Sequence, residues 1–131
     1  MRLPEAILIT LLSAINPITE KPEAIEINNV SITAYCYGTR TASGQRVREG
    51  HIALSRGIVK AHKVKFGDTV VVHGIGTYDF QDLMPPQWTH PKCDIYIKDK
   101  RAATIFGLKR NLKITIIKRK RITTCEKLVK K

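Results

Sequence analysis

The chain has 131 residues, 43% of them hydrophobic and 26% charged, with a formal net charge of +12. That length suits one domain with a modest core, and that composition excludes wholesale disorder. The charge is lopsided: residues 98–131 hold 13 Lys and Arg against 2 Asp and Glu, leaving 10 against 9 in residues 1–97. Such an end suits either an attraction to polyanions (nucleic acid, anionic lipid, an acidic cell-wall polymer) or a merely solvated strand face and terminus.

The chain opens on an apolar run from Ala6 to Ile15. It is too short to span a bilayer as a helix but long enough for the apolar part of a signal peptide. An export or anchoring segment is expected here, with a short amphipathic helix packed on the domain as the rival. Residues 17–29 carry Pro17 and Pro22 and suit a linker with a short strand at Ala24–Ile27. Residues 1–29 are therefore set apart from the domain, which is expected over 30–118, with a basic tail at 119–131.

Within the domain, Val30–Tyr35 is β-branched and aromatic and predicts a strand. Gly38–Gly50 is a polar loop. His51–Leu54 predicts a short strand, Thr69–His73 a buried one after the turn Phe66-Gly67-Asp68, and Thr77–Gln81 its hairpin partner. Pro85, Pro86 and Pro91 force a loop over Leu83–Lys92, because proline cannot supply ladder donors. Asp94–Ile97 predicts the fifth strand. Asp99 suits an N-cap and Gly107 a helix stop, with Ala102, Ala103 and Phe106 on one face between them. Leu112–Ile117 alternates and predicts the last strand. The expectation is a mainly β fold of six strands closed into a barrel, with one short helix between the last two.

The stretch Gly74–Asp94 holds Asp79, Asp82 and Asp94, three of the chain's five aspartates. Asp in turns is common for local hydrogen-bonding reasons alone, so spacing by itself favours plain loop carboxylates. Asp79 is expected on the solvent side of its strand, opposite Tyr78 and Phe80. Cys36, Cys93 and Cys125 form no CxxC pair, which speaks against a zinc ribbon. A Cys36–Cys93 bond and buried free thiols both remain open. His51, His62, His73 and His90 lack metal-ligand spacing, so no metal or other cofactor is expected.

Seven short motifs then occur in one order: Thr33-Ala34-Tyr35, Thr41-Ala42-Ser43-Gly44, Gly50-His51-Ile52-Ala53-Leu54, Phe66-Gly67-Asp68-Thr69-Val70, Tyr78 with Asp82-Leu83-Met84, Asp94-Ile95-Tyr96, and Ala102 with Phe106-Gly107. Over about Val30–Lys118 the chain resembles the three-aspartate domain, a double-psi β-barrel. That domain occurs in the membrane-bound lytic transglycosylases of the A type and in small secreted cell-wall enzymes, and it looks like a distant relative of the rare lipoprotein A and expansin barrels. The resemblance implies that Asp94 is the catalytic acid and Asp82 its positioning partner. Ser55 stands where the family has its first aspartate, and Lys65-Phe66-Gly67 replaces the usual Pro-Leu-Gly. It further implies cleavage of peptidoglycan glycan strands with 1,6-anhydro ends, in the cell envelope or outside the cell, by a monomer. Tyr35, Thr41, Ser43, Gly44 and Trp88 are the expected substrate contacts. For each of them the plainer alternative is core, turn or loop packing. A non-catalytic glycan-binding barrel is the second reading, prompted by Ser55. A basic nucleic-acid-binding barrel is the third, although no specific nucleic acid is expected. The tail is expected to hold acidic polymers.

Overall fold

The computed structural model describes residues 22–120. The expected export segment and most of the basic tail lie outside the described residues. Within them, six strands and two short helices follow in the order β1 (Ala24–Tyr35), β2 (His51–Leu54), α1 (Arg56–His62), β3 (Thr69–Val72), β4 (Gly76–Leu83), β5 (Lys92–Tyr96), α2 (Lys100–Phe106) and β6 (Lys109–Ile117).

Alternation drives the closure. Val30 and Ile32 of β1, Ile52 and Leu54 of β2, Cys93 and Ile95 of β5, and Ile114 and Ile116 of β6 are buried in one core with Phe80. Their neighbours in sequence point outward, as the pleat requires. The strands close in the order β1-β5-β2-β4-β3-β6, and β6 returns to β1. No sheet edge is left among these strands. β1–β5 and β2–β4 run parallel, and the other pairs are antiparallel. Exchanging β1 with β4, β2 with β5 and β3 with β6 maps each pairing onto one of the same sense. The barrel is thus two β-β-α-β halves related by an approximate two-fold, the double-psi arrangement. The sequence carries no repeat that announces it.

Two expectations need correction. The barrel has a second helix, α1, where only one was expected. Ser55 makes no side-chain cap bond at its start, so the usual sequence signal is missing. Instead Ile58 is buried, and the Lys118 ammonium donates to the carbonyls of His62 (2.7 Å) and Lys63 (2.6 Å) at the helix end. Lys118 also lies 3.8 Å from the buried Asp68 carboxylate, which accepts the Arg119 backbone N–H at 2.9 Å. The start of the basic run is therefore part of the barrel. The other correction concerns β1, which begins at Ala24. Asn29, at φ 57, marks a register shift in its pairing with β6, so what looked like a linker strand and a barrel strand are one bent strand. The helix expected after Asp99 is present: the Asp99 side chain accepts from Arg101 N and Ala102 N, and Gly107 follows.

The proline-rich loop is clamped on α1. Arg56 N donates to the Trp88 carbonyl at 3.2 Å, and Trp88 packs on Tyr35, Ala53, Met84 and Tyr96 outside the barrel wall. A Cβ on Gly57 would overlap the Thr89 carbonyl. Gly57→Ala is therefore expected to push this loop off the helix and to cost about 1–3 kcal/mol, the usual range for overpacking. A denaturant midpoint together with the emission of the single tryptophan checks this. An unchanged midpoint and an unchanged spectrum would show that the contact does not matter.

Candidate functional site

The outer face of four neighbouring strands carries one row of side chains. Thr33 of β1 is the register partner of Asp94 on β5, Asp94 faces Ala53 on β2, and Ala53 is the partner of Asp82 on β4. Asp94 and Asp82 are thus two strands apart, about 9–10 Å at the backbone, with the small Ala53 as the floor between them. Asp82 reaches this face only because the β2–β4 register shifts between Ile52 and Ala53, which leaves Gln81 unpaired. In a regular strand, Asp82 would share the inward face of Phe80.

Asp82 is held by three donors. Its Oδ1 accepts Ala42 N and Leu83 N, each at 2.9 Å, and its Oδ2 accepts the Tyr35 hydroxyl at 3.0 Å. Burial and the Asp82 carboxylate push the Tyr35 phenol far up, so it keeps its proton and donates. Asp94 has a single donor among the described residues, the Thr33 hydroxyl at 3.1 Å. Burial pushes its carboxyl up to about 6, opposed by Thr33 and Lys92 and helped a little by Asp82. Desolvation, more than the like charge, makes Asp94 a proton holder.

A cleft of about 230 Å³ opens over this row, lined by Tyr35, Tyr37, Ala53, Arg56, Asp82, Leu83, Met84, Pro85 and Asp94. Of the expected site residues, Asp94, Asp82 and Tyr35 meet here. Thr41, Ser43, Gly44 and Trp88 do not line it. Thr41 is buried, and its hydroxyl meets Ser43 Oγ at 2.8 Å and the Gln45 carbonyl at 3.2 Å. Gly44 closes the turn at φ 94, and Ser43 N donates to the Gln81 carbonyl. These residues shape the loop that brings Ala42 N to Asp82. Trp88 packs its loop down and lies under the Lys92 ammonium, 3.9 Å from the ring centre. Asp79 does face outward, and Gln81 and Arg48 meet it there. Ser55 is fully buried, and its Oγ accepts Lys92 N at 3.2 Å, away from the cleft.

Sequence reasoning missed Arg56, Tyr37 and the role of Ala53. A small residue between Ile52 and Leu54 was the available signal for a floor. His51 was also missed as a feature of the outer face: it is fully buried, and neither ring nitrogen has a hydrogen-bond partner among the described residues. Burial and Arg48 lower its pKa, against Asp79 and Asp82, so it sits neutral. Cys36 and Cys93 are free thiols. No cluster of three metal-binding side chains occurs among the described residues. No protein-family model matches the chain, and no curated protein matches it significantly.

The Asp94 shift has a stability consequence. Its carboxyl titrates near 3.8 unperturbed and at about 6 when folded, so the folded chain holds the extra proton between those values. The associated stability is complete below the lower value and is lost as pH rises through the upper one. Asp94→Asn should then match wild type at pH 3.5 and exceed it at pH 7, by at most about 3 kcal/mol. Denaturant midpoints at the two pH values test this, and equal differences at both would rule it out. His51 acts with the opposite sign. Its contribution is present above 6.5 and declines as pH falls, because the unfolded chain then takes up the proton first.

Proposed function

We propose that the chain is a glycan-cleaving enzyme of the lytic transglycosylase type, acting on peptidoglycan in the cell envelope or outside the cell. The observation that carries this is the proton-holding Asp94 at the floor of an open cleft, beside a second carboxylate fixed by three donors. The substrate class comes from the motif resemblance.

Asp94 gives its proton to the glycosidic oxygen as the bond to the anomeric carbon breaks. The sugar's own 6-hydroxyl then attacks that carbon and passes its proton to the Asp94 carboxylate. The products are a free 4-hydroxyl end and a 1,6-anhydro end, no water is consumed, and the acid is regenerated. Asp82, held still by Tyr35, Ala42 and Leu83, supplies negative charge near the oxocarbenium-like centre. Ser55 lies under the start of β5, so its substitution takes nothing from the cleft wall, and this favours catalysis over the glycan-binding alternative. Acidic polymers are the proposed partners of the residues beyond Arg119.

The test is release of anhydro-ended fragments from purified sacculi. Asp94→Asn should lose about 10²–10⁴-fold or more, since Asn has no proton to give. Asp82→Asn should lose less and move the fall in activity near pH 6 slightly downward, because removing its charge makes Asp94 easier to ionise. Asp79→Asn should be close to wild type. Equal turnover by wild type and Asp94→Asn would remove Asp94 from the mechanism. Glycan binding without turnover in either would favour the non-catalytic barrel. For the tail, deleting residues 121–131 should weaken retention on an anionic matrix at low salt and have little effect at high salt.

A further inference from the structure

The mechanism leaves one cation of the cleft unused. Arg56 lines the cleft with Met84, Pro85 and both aspartates. It is tethered at two points: its backbone N–H donates to the Trp88 carbonyl at 3.2 Å, and its Nε donates to the Met84 carbonyl at 3.1 Å. Ion pairs among the described residues include Arg48 with Asp79, Lys113 with Glu26 and Lys118 with Asp68, and Arg56 takes part in none there. Neither Asp82 nor Asp94 neutralises it, although all three line the same cleft. Its stem is fixed by the loop, and its two terminal nitrogens remain as a planar fork of donors without an acceptor among the described residues.

A fixed guanidinium fork fits a carboxylate in two parallel hydrogen bonds. A doubly charged phosphate fits less well, because the same cleft holds Asp82 and, above about pH 6, an ionised Asp94. We propose that Arg56 pairs with a carboxylate carried by the substrate beside the bond to be cleaved, so that the cleft selects acidic glycans over neutral ones of equal length. This rests on the glycan-cleaving reading above and names the feature of the substrate that the site reads. Two sources carry that chemistry: a lactyl ether on the sugar itself, or the peptide attached to it.

The experiment measures binding without turnover, using the full chain bearing Asp94→Asn, with and without Arg56→Gln or Arg56→Lys. The probes are neutral chitin oligosaccharides, peptide-free glycan oligomers with open lactyl carboxylates, and peptide-bearing oligomers of the same length. Arg56→Gln should weaken binding of an acidic probe roughly tenfold to a hundredfold, as expected for charge-assisted hydrogen bonds, and leave the neutral probe unchanged. Arg56→Lys should recover part of the loss, since it restores the charge without the fork. A loss confined to the peptide-free oligomers assigns the lactyl carboxylate. A loss confined to the peptide-bearing ones assigns the peptide. Tryptophan emission reports whether the Met84–Pro91 loop has kept its place in each variant. An equal loss for neutral and acidic probes, or no loss for any, would overturn the proposal while leaving glycan cleavage intact. Failure of every glycan to bind would overturn both.

Discussion

The site depends on one irregularity in one strand. The register shift opposite Ile52 and Ala53 lets Phe80 fill the core while Asp82, two residues on, faces outward. Without it, a carboxylate would have to enter an apolar barrel interior, where an unpaired charge is very costly. The shift also frees the Gln81 carbonyl to accept Ser43 N, which draws the Thr41–Gly44 turn over the face and delivers Ala42 N to Asp82. A single extra residue in β4 thus sets the direction of one carboxylate, the anchorage of one loop and the shape of one wall. The partner wall follows from α1, because the loop after β4 is pinned to it through Arg56 and Gly57.

The barrel carries Asp94 against its own stability. Burial that lifts the carboxyl to about 6 also makes its ionised form a liability at neutral pH. The Thr33 hydroxyl and the Lys92 charge work the other way and keep the shift moderate. A group poised there can both donate and recover a proton near neutral pH, which a single acid–base residue needs. His51, buried on the same outer face with its ring nitrogens unpaired, adds a second such liability of opposite pH dependence.

What could be read from the residues was set by how local each signal is. The strands at His51–Leu54 and Thr69–Val72 and the Asp99-capped helix were legible because alternation, β-branching and a cap lie within a few residues. Helix α1 was not, because its stability comes from a buried Ile58 and from Lys118, more than fifty residues away in sequence. The first half of β1 was obscured by Asn29, whose left-handed backbone is a bulge inside a strand and not the end of a linker. At the site, the motif order pointed to Asp82 and Asp94 together. Arg56 stayed hidden because its place depends on a helix with no cap signal and on a carbonyl 28 residues on. Thr41, Ser43 and Gly44 are near the cleft but support Asp82 from behind, a distinction that only the turn geometry decides.

The two-fold of the barrel explains why the acid stands where it does. Its axis passes between Ala53 and Asp94, which face each other across the antiparallel β2–β5 pair, and it relates Thr33 to Asp82. The scaffold therefore offers two equivalent central positions and two equivalent flanking ones. Carboxylates at both central positions would face each other directly, with backbones about 4.5–5.5 Å apart, and would repel strongly. An acid at one and alanine at the other avoids this and leaves open floor above Ala53. The flanking pair is split as well: Thr33 gives a hydrogen bond to the acid, and Asp82 supplies a charge held two strands away. A symmetric barrel with an asymmetric row of four side chains thus yields one proton donor, one fixed charge and a space between them, with α1 presenting Arg56 at the rim.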